Sequence, residues 1–321
     1  MGTNPRYLSG VQPSGILHLG NYFGAIRQHI ERQDNAFYFI ANYHALTTLH
    51  DAEQLRRNTF DTAATYLALG LDPQRATLFR QSDVPEVAEL AWLLATVAGM
   101  GLLERAVSYK EKKDKGIAAS VGLFTYPVLM AADILIYDSD VVPVGSDQVQ
   151  HLEMTRDIAS SFNHRYGETF KLPAYKLGVP TPVPGLDGQK MSKSYGNTIP
   201  ILLGGKKLKK LVMSIETDST PLEDPKDPDT CNVFALYKLF ATEAQQQEMR
   251  QKYQGGNYGY GHAKLELLGL IKERFAEARE KKAEFDKNPD LVEDALAVGA
   301  KRARAIARDV LDRARSACGI V

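Results

Sequence analysis

The chain has 321 residues, enough at about 100 to 200 residues per domain for two domains with real cores, which excludes a stapled mini-protein. Thirty-nine Lys plus Arg balance thirty-nine Asp plus Glu, which argues against a histone-like coat of positive charge but leaves local basic faces, and so nucleic acid, open. At 44% hydrophobic and 24% charged residues, the composition is that of an ordinary globular protein, not a disordered one.

Short apolar runs alternate with longer helical periods over the first two hundred residues, the pattern of an α/β domain with a mostly parallel sheet. Residues 6–9 form a candidate first strand, 22–33 a helix after a glycine-rich turn, and 36–41 (AFYFIA) a buried second strand. A helix over 52–69 ends at Gly70 and the Asp72-Pro73 turn, and 76–79 gives a third strand. Residues 82–120 are helical in pattern. Within them, 90–103 read as one buried helix, too short and too interrupted for a bilayer span, and the lysine-rich 110–115 (KEKKDK) as an exposed loop or helix end. The Pro- and Gly-rich run at 178–190 forbids regular structure, and a domain boundary is placed near residue 200. Beyond it the pattern is nearly all helix, ending in 291–317, where Lys301, Arg302, Arg304, Arg308, Arg313 and Arg315 make a basic side. That side is either an RNA contact or a solvated face with pairs such as Arg308 and Asp312.

Two cysteines, Cys231 and Cys318, are too few for a secreted disulfide framework and lack zinc-site spacing. The N-terminus carries no apolar signal core, so neither export nor a membrane anchor is expected and a cytoplasmic location is. His29, His50, His151, His164 and His262 show no metal-ligand spacing and read as packing or surface residues. No metal site is expected in the protein itself.

Chemistry concentrates in four segments. SGVQPSGILHLGNYFGA, residues 9–25, takes a strand through Gly10, Gly15 and Gly20 into a helix. Backbone can approach a ligand closely there, and the positive helix end can face phosphate beside the uncharged donors His18 and Asn21. A plain strand-to-helix turn has about equal claim on that segment alone. GLDGQKMSKSYGN, residues 185–197, holds Lys190 and Lys193 three residues apart in a polar loop, able to offset charge on a leaving pyrophosphate or simply exposed. Asp133 stands in the apolar helical YPVLMAADILIY, where a carboxylate needs a partner, either within the protein or on a ligand. VPVGSDQVQHLEMTRDIA, residues 142–159, passes from a strand end into a helix, a position where open α/β sheets hold ligands.

HLGN near the start and KMSKS about 170 residues later resemble the two signature motifs of class I aminoacyl-tRNA synthetases, and with TYPVLMAADILIY, VPVGSDQ and DPDTCNVFALYKLF the chain resembles the bacterial tryptophanyl-tRNA synthetase family nearly throughout. The resemblance implies an α/β fold, a Rossmann-like doubly wound parallel sheet in residues 1–200 with a helical dimer-interface insertion at about 82–140, and an all-helical anticodon-binding domain in 201–321. It implies activation of L-tryptophan with ATP and Mg2+, transfer to tRNA(Trp), and a homodimer with no membrane association. By the same resemblance Asp133 accepts the indole N–H, Met130 packs on the ring, Tyr126 and Gln148 hold the ammonium group, and His44 and Gly10 complete the tryptophan site. Gln12, Pro13, Ser14, Gly20, Asn21, Gly145, Ser146, Asp147, Val183, Lys190, Met191, Ser192, Lys193 and Ser194 fall to ATP, and Lys190, Lys193, His18 and Lys112 to catalysis. Ser146 stands where Glu is commonest in the family, and Asn42-Tyr43 where Asp-Gln is frequent. A tyrosine-specific enzyme of the same class, which also uses GSDQ, and a non-enzymatic paralogue are the alternatives.

Overall fold

The computed structural model describes residues 5–106, 120–145, 148–177 and 182–320. Lys112, Ser146 and Asp147 lie outside the described residues, as do the lysine-rich 110–115 and the start of the Pro-Gly run. Five strands, β1 (Tyr7–Val11), β2 (Ala36–Ile40), β3 (Thr77–Arg80), β4 (Val141–Val144) and β5 (Ala174–Leu177), form one sheet in the order β3-β2-β1-β4-β5. Every pairing is parallel, with Tyr7 opposite both Ala36 and Val141. This is the doubly wound Rossmann-like order. Its direction of winding reverses between β1 and β4, and a crevice at their carboxyl ends is where such sheets bind ligands.

Strand β2 is buried at every residue because helices cover both faces. Its side chains alternate between two cores: Tyr38 and Ile40 pack on one side, Phe37 and Phe39 on the other. The first core runs on into the helical region, through Leu208, Phe234, Leu267 and Phe275 to Leu296. The helix over Asp290–Cys318 starts in that core with Val292 and Leu296 and ends in the other with Ala303, Ala307 and Val310. Between them it crosses β3 at Gly299, where a Cβ would stand 1.8 Å from the Leu78 carbonyl oxygen. Only glycine permits that crossing, which covers the sheet edge.

Two helix expectations need correction. The run at 90–103 is two helices, Glu86–Ala95 and Met100–Glu104, broken where Gly99 turns to an extended backbone. Leu90, Leu93, Leu94 and Leu103 are buried, but Trp92 and Met100 are exposed. The run at 22–33 is a π-helical stretch, Tyr22–Ile26, followed by an α-helix, Arg27–Glu31. Strand β5 had no signal in the sequence because all four of its residues are exposed.

Candidate active site

The two glycine-flanked motifs, far apart in the chain, meet at the carboxyl end of β1. Backbone bonds join the HLGN turn to the segment after the lysine loop: Leu19 N–H donates to the Ile199 carbonyl at 3.0 Å and Ile201 N–H to the Leu17 carbonyl at 3.1 Å. From the loop, Lys193 Nζ reaches back to donate to the Ser14 carbonyl at 3.1 Å and to Ser14 Oγ at 3.2 Å. Burial pulls the Lys193 ammonium below its usual pKa range. His18 is held at about 4 by burial and, next, by the charge on Lys193, so it is neutral at pH 7. Its Nδ1 is buried without a hydrogen-bond partner. A Cβ on Gly20 would stand 2.9 Å from that ring, so the glycine is what lets the imidazole lie over the helix start. Asn21 Oδ1 accepts from the His18 backbone N–H at 3.0 Å, which occupies one of its acceptor positions and leaves its amide as the donor to a ligand.

The loop is fastened at its base. Met191 N–H donates to the Val183 carbonyl at 2.9 Å, and both side chains are buried. Asn197, 4% exposed, accepts from Ser192 N–H at 2.8 Å and donates to Asp187 Oδ1 at 2.7 Å and to the Lys190 carbonyl at 3.3 Å. Lys193 itself opens a short 3-10 turn, Lys193–Tyr195, and the Ser192 and Ser194 hydroxyls pair at 2.8 Å. From the helical region, Asn232 Nδ2 donates to the Gly185 and Leu186 carbonyls at 3.0 and 3.2 Å.

Beside this junction lies a cavity of about 590 Å³ under the ends of β1 and β4. Asp133, Met130, Tyr126, Gln148, His44 and Gly10 all line it, as do Gln12 and Gly145. Asp133 comes from the apolar helix Val121–Leu135 and is 1% exposed. His44 Nε2 lies 2.8 Å from its Oδ2, and Gln81 Nε2 donates to both oxygens at 2.8 and 2.9 Å. The carboxylate therefore does have protein partners, yet it still faces the cavity. Burial pushes its pKa above the ordinary carboxylate range, against the hydrogen bonds from His44 and Gln81. Tyr126 OH pairs with His151 Nε2.

Several further side chains border the cavity and the loop. His151 is buried, as a packing residue would be, and it also lines the cavity from three residues beyond Gln148, a helical spacing. Gln81 is a fully buried polar residue one position past β3, and strand ends are where such sheets place function. Asn197 sits inside the lysine segment but was not singled out. The arginines of the last helix are also reassigned. Arg304 and Arg308 both bond Glu86, Arg313 bonds Asp138, Arg315 bonds Glu89, and Arg302 reaches the Pro73 carbonyl. Arg308 thus pairs across the fold with Glu86 and not along its own helix with Asp312, because the helix packs on the sheet edge.

A family model described as tRNA synthetases class I (W and Y) matches residues 2–276. The tryptophan–tRNA ligase of Fusobacterium nucleatum is 58% identical over 98% of both chains, and that of Rhodopirellula baltica 57% identical over 98% of this chain and 99% of its own. The crystal structure of tryptophanyl-tRNA synthetase from Campylobacter jejuni complexed with ADP and tryptophan superposes with a TM-score of 0.94 at 50% identity, covering 98% of this chain and 99% of that one. The tyrosine-specific and non-enzymatic alternatives are set aside by relatives of this likeness over nearly the whole chain. With a parallel sheet of this order, a cavity at its strand ends and the two signature segments bonded to each other, the chain belongs to the class I tRNA synthetases, among the bacterial tryptophan–tRNA ligases.

Proposed function

We propose that this ligase forms tryptophanyl-adenylate where the HLGN turn meets the lysine loop, with the amino acid in the 590 Å³ cavity and ATP across the Ser14–Lys193 contact. The single observation carrying this reading is that contact, which joins residues 179 positions apart beside a cavity lined by all six residues expected to bind tryptophan. The tryptophan carboxylate attacks the α-phosphorus, the bond from that phosphorus to the bridging oxygen breaks, and pyrophosphate leaves. The acyl group then passes to the terminal ribose of tRNA(Trp), releasing AMP.

In this reading Gln12, Pro13, Ser14, Gly20 and Asn21 cradle the nucleotide with neutral His18, and Gly145 and Val183 flank it. Lys190 and Lys193 offset the charge that grows on the leaving pyrophosphate. Lys112, Ser146 and Asp147 keep the phosphate and ribose roles that the family resemblance implies. Magnesium enters with the triphosphate as part of the substrate and adds positive charge there. In this reading the ion's ligands are phosphate oxygens and water. The Asp133 carboxylate takes the indole N–H, Met130 packs on the ring, and Tyr126 and Gln148 take the ammonium group.

Residues 1–200 are the catalytic unit in this proposal and 201–321 the part that reads tRNA. The exposed lysines of the helix Gly205–Met213, Lys206, Lys207, Lys209 and Lys210, suit a phosphate backbone better than the ion-paired arginines of the last helix. Exposed Trp92, Met100 and Val121, between residues 82 and 140, suit a homodimer contact, which a solution mass measurement checks. No described helix is long and apolar enough to cross a membrane. The free thiols Cys231 and Cys318 accord with a cytoplasmic location. ATP–pyrophosphate exchange run with tryptophan and with tyrosine tests the reading: exchange with tryptophan alone is expected, and exchange driven equally by tyrosine overturns it.

A further inference from the structure

We infer that Gln81 is a positioning residue for amino-acid selection, holding the Asp133 carboxylate as a fixed acceptor for the indole N–H. This rests on the reading that Asp133 receives that N–H.

Gln81 is 1% exposed and does not itself line the cavity, so any effect on substrate passes through what it touches. Its amide has a defined orientation. Tyr43 N–H donates to Gln81 Oε1 at 3.0 Å, which turns Nε2 toward Asp133, where it meets Oδ1 at 2.8 Å and Oδ2 at 2.9 Å. Beside it, Asn42 and Ser82 exchange two bonds, Asn42 Nδ2 to Ser82 Oγ at 2.7 Å and Ser82 N–H to Asn42 Oδ1 at 3.0 Å. Residues 42–44 and 81–82 are thereby stitched together, and the two donors that grip Asp133, His44 and Gln81, come one from each segment. Asn42 and Tyr43, which stand where Asp-Gln is frequent in the family, thus serve this stitch and do not line the cavity.

The chemistry favours an amide at this place. A carboxylate offers about four acceptor positions, so two donors leave capacity for an indole N–H. A neutral donor fixes both oxygens without cancelling the negative charge, whereas an Arg in its place would compete with the ligand as a full ion pair. Burial alone favours the protonated acid, and bonds to both oxygens counter that pressure. A buried polar group fixed for one partner rejects ligands that leave it unpaired.

The test compares tryptophan with β-(3-benzothienyl)alanine, whose ring carries sulfur in place of N–H, in ATP–pyrophosphate exchange by the full chain. In Gln81→Leu, the preference in kcat/KM for tryptophan over the sulfur analogue is expected to fall about ten-fold, through KM for tryptophan, with KM for ATP unchanged. Equal losses for both amino acids would mean a merely structural role and overturn the inference. Gln81→Met, which keeps the chain length, decides the matter by the same ratio if Gln81→Leu does not fold. Asp133→Leu, which has no acceptor, separates the underlying reading: an unchanged preference there removes Asp133 as the indole acceptor. A preference lost in Asp133→Leu but kept in the Gln81 variants removes only the positioning role.

Discussion

The cavity proposed to take tryptophan and the lysine loop adjoin, yet they are built on opposite terms. In the slot Asp133, His44 and Gln81 are buried, and both His44 and Gln81 bond the Asp133 carboxylate. In the loop Lys190 and Lys193 stay exposed to solvent, and the fastening is done beneath them by Asn197 and by backbone bonds to Val183 and Leu186. The difference suits the role proposed for each. Selecting one ring over another of similar size needs a desolvated acceptor in fixed geometry, because only there does an unmet hydrogen bond cost enough. Offsetting charge on pyrophosphate needs ammonium groups that keep their protons, which full burial would remove. Lys193, partly enclosed where it bonds Ser14, already has its pKa lowered by burial.

The largest expected effect separates the two. Lys193→Ala is expected to slow ATP–pyrophosphate exchange by about 100- to 1000-fold, the usual loss of one transition-state donor, while tryptophan binding measured by calorimetry stays unchanged. Near-normal exchange would remove the loop from the chemistry. Next in size is Asn197→Ala, which deletes three hydrogen bonds under the loop without touching phosphate. Exchange should drop about 10- to 100-fold with tryptophan affinity again unchanged. If affinity for tryptophan fell in parallel, slot and loop would form one mechanical unit and the contrast would collapse.

The two regions also differ in how far they could be read from the chain. HLGN, KMSKS and the Asp133 segment are contiguous, so the slot residues and the loop lysines were legible once the motifs were seen together. Their supports were not. Gln81 reaches Asp133 across 52 positions, and Asn232 reaches the loop base across 46, separations that no local periodicity encodes. The sheet core was legible because β2 is an unbroken apolar run flanked by strand-like segments at β1 and β3, whereas the exposed β5 had no such mark. The arginines of the last helix were illegible for the same reason as Gln81: Glu86 and Asp138 lie more than 170 positions away, so part of the positive charge that looks free in sequence is paired in the fold.

That pairing sharpens the contrast at the scale of whole lysine groups. Changing Lys206, Lys207, Lys209 and Lys210 together to Glu is expected to raise KM for tRNA about ten-fold and to flatten its salt dependence, while exchange without tRNA is untouched. Charge alone would then be shown to serve binding in one place and chemistry only where Lys190 and Lys193 stand. A fall in tRNA-free exchange would instead tie this helix to the active site.

The smallest effect is a split in pH dependence, and its sign follows from opposite shifts. His18 has its pKa lowered from 6.5 to about 4, so between pH 7.5 and 5 it stays neutral and the nucleotide cradle does not change charge. Asp133 has its pKa raised by burial, so on acidification it takes up a proton before an ordinary carboxylate does. The protonated acid keeps less acceptor capacity, and its new O–H competes with the donors of His44 and Gln81 that hold it. KM for tryptophan should therefore rise on acidification, at a pH above that at which an ordinary carboxylate titrates, while KM for ATP stays level. The sulfur analogue, which offers no N–H to Asp133, should show a flatter profile than tryptophan over the same range. A rise in both KM values together would point to His18, or to the loop it touches, as the group being titrated, and the separation of the two regions by their electrostatics would fail at that point.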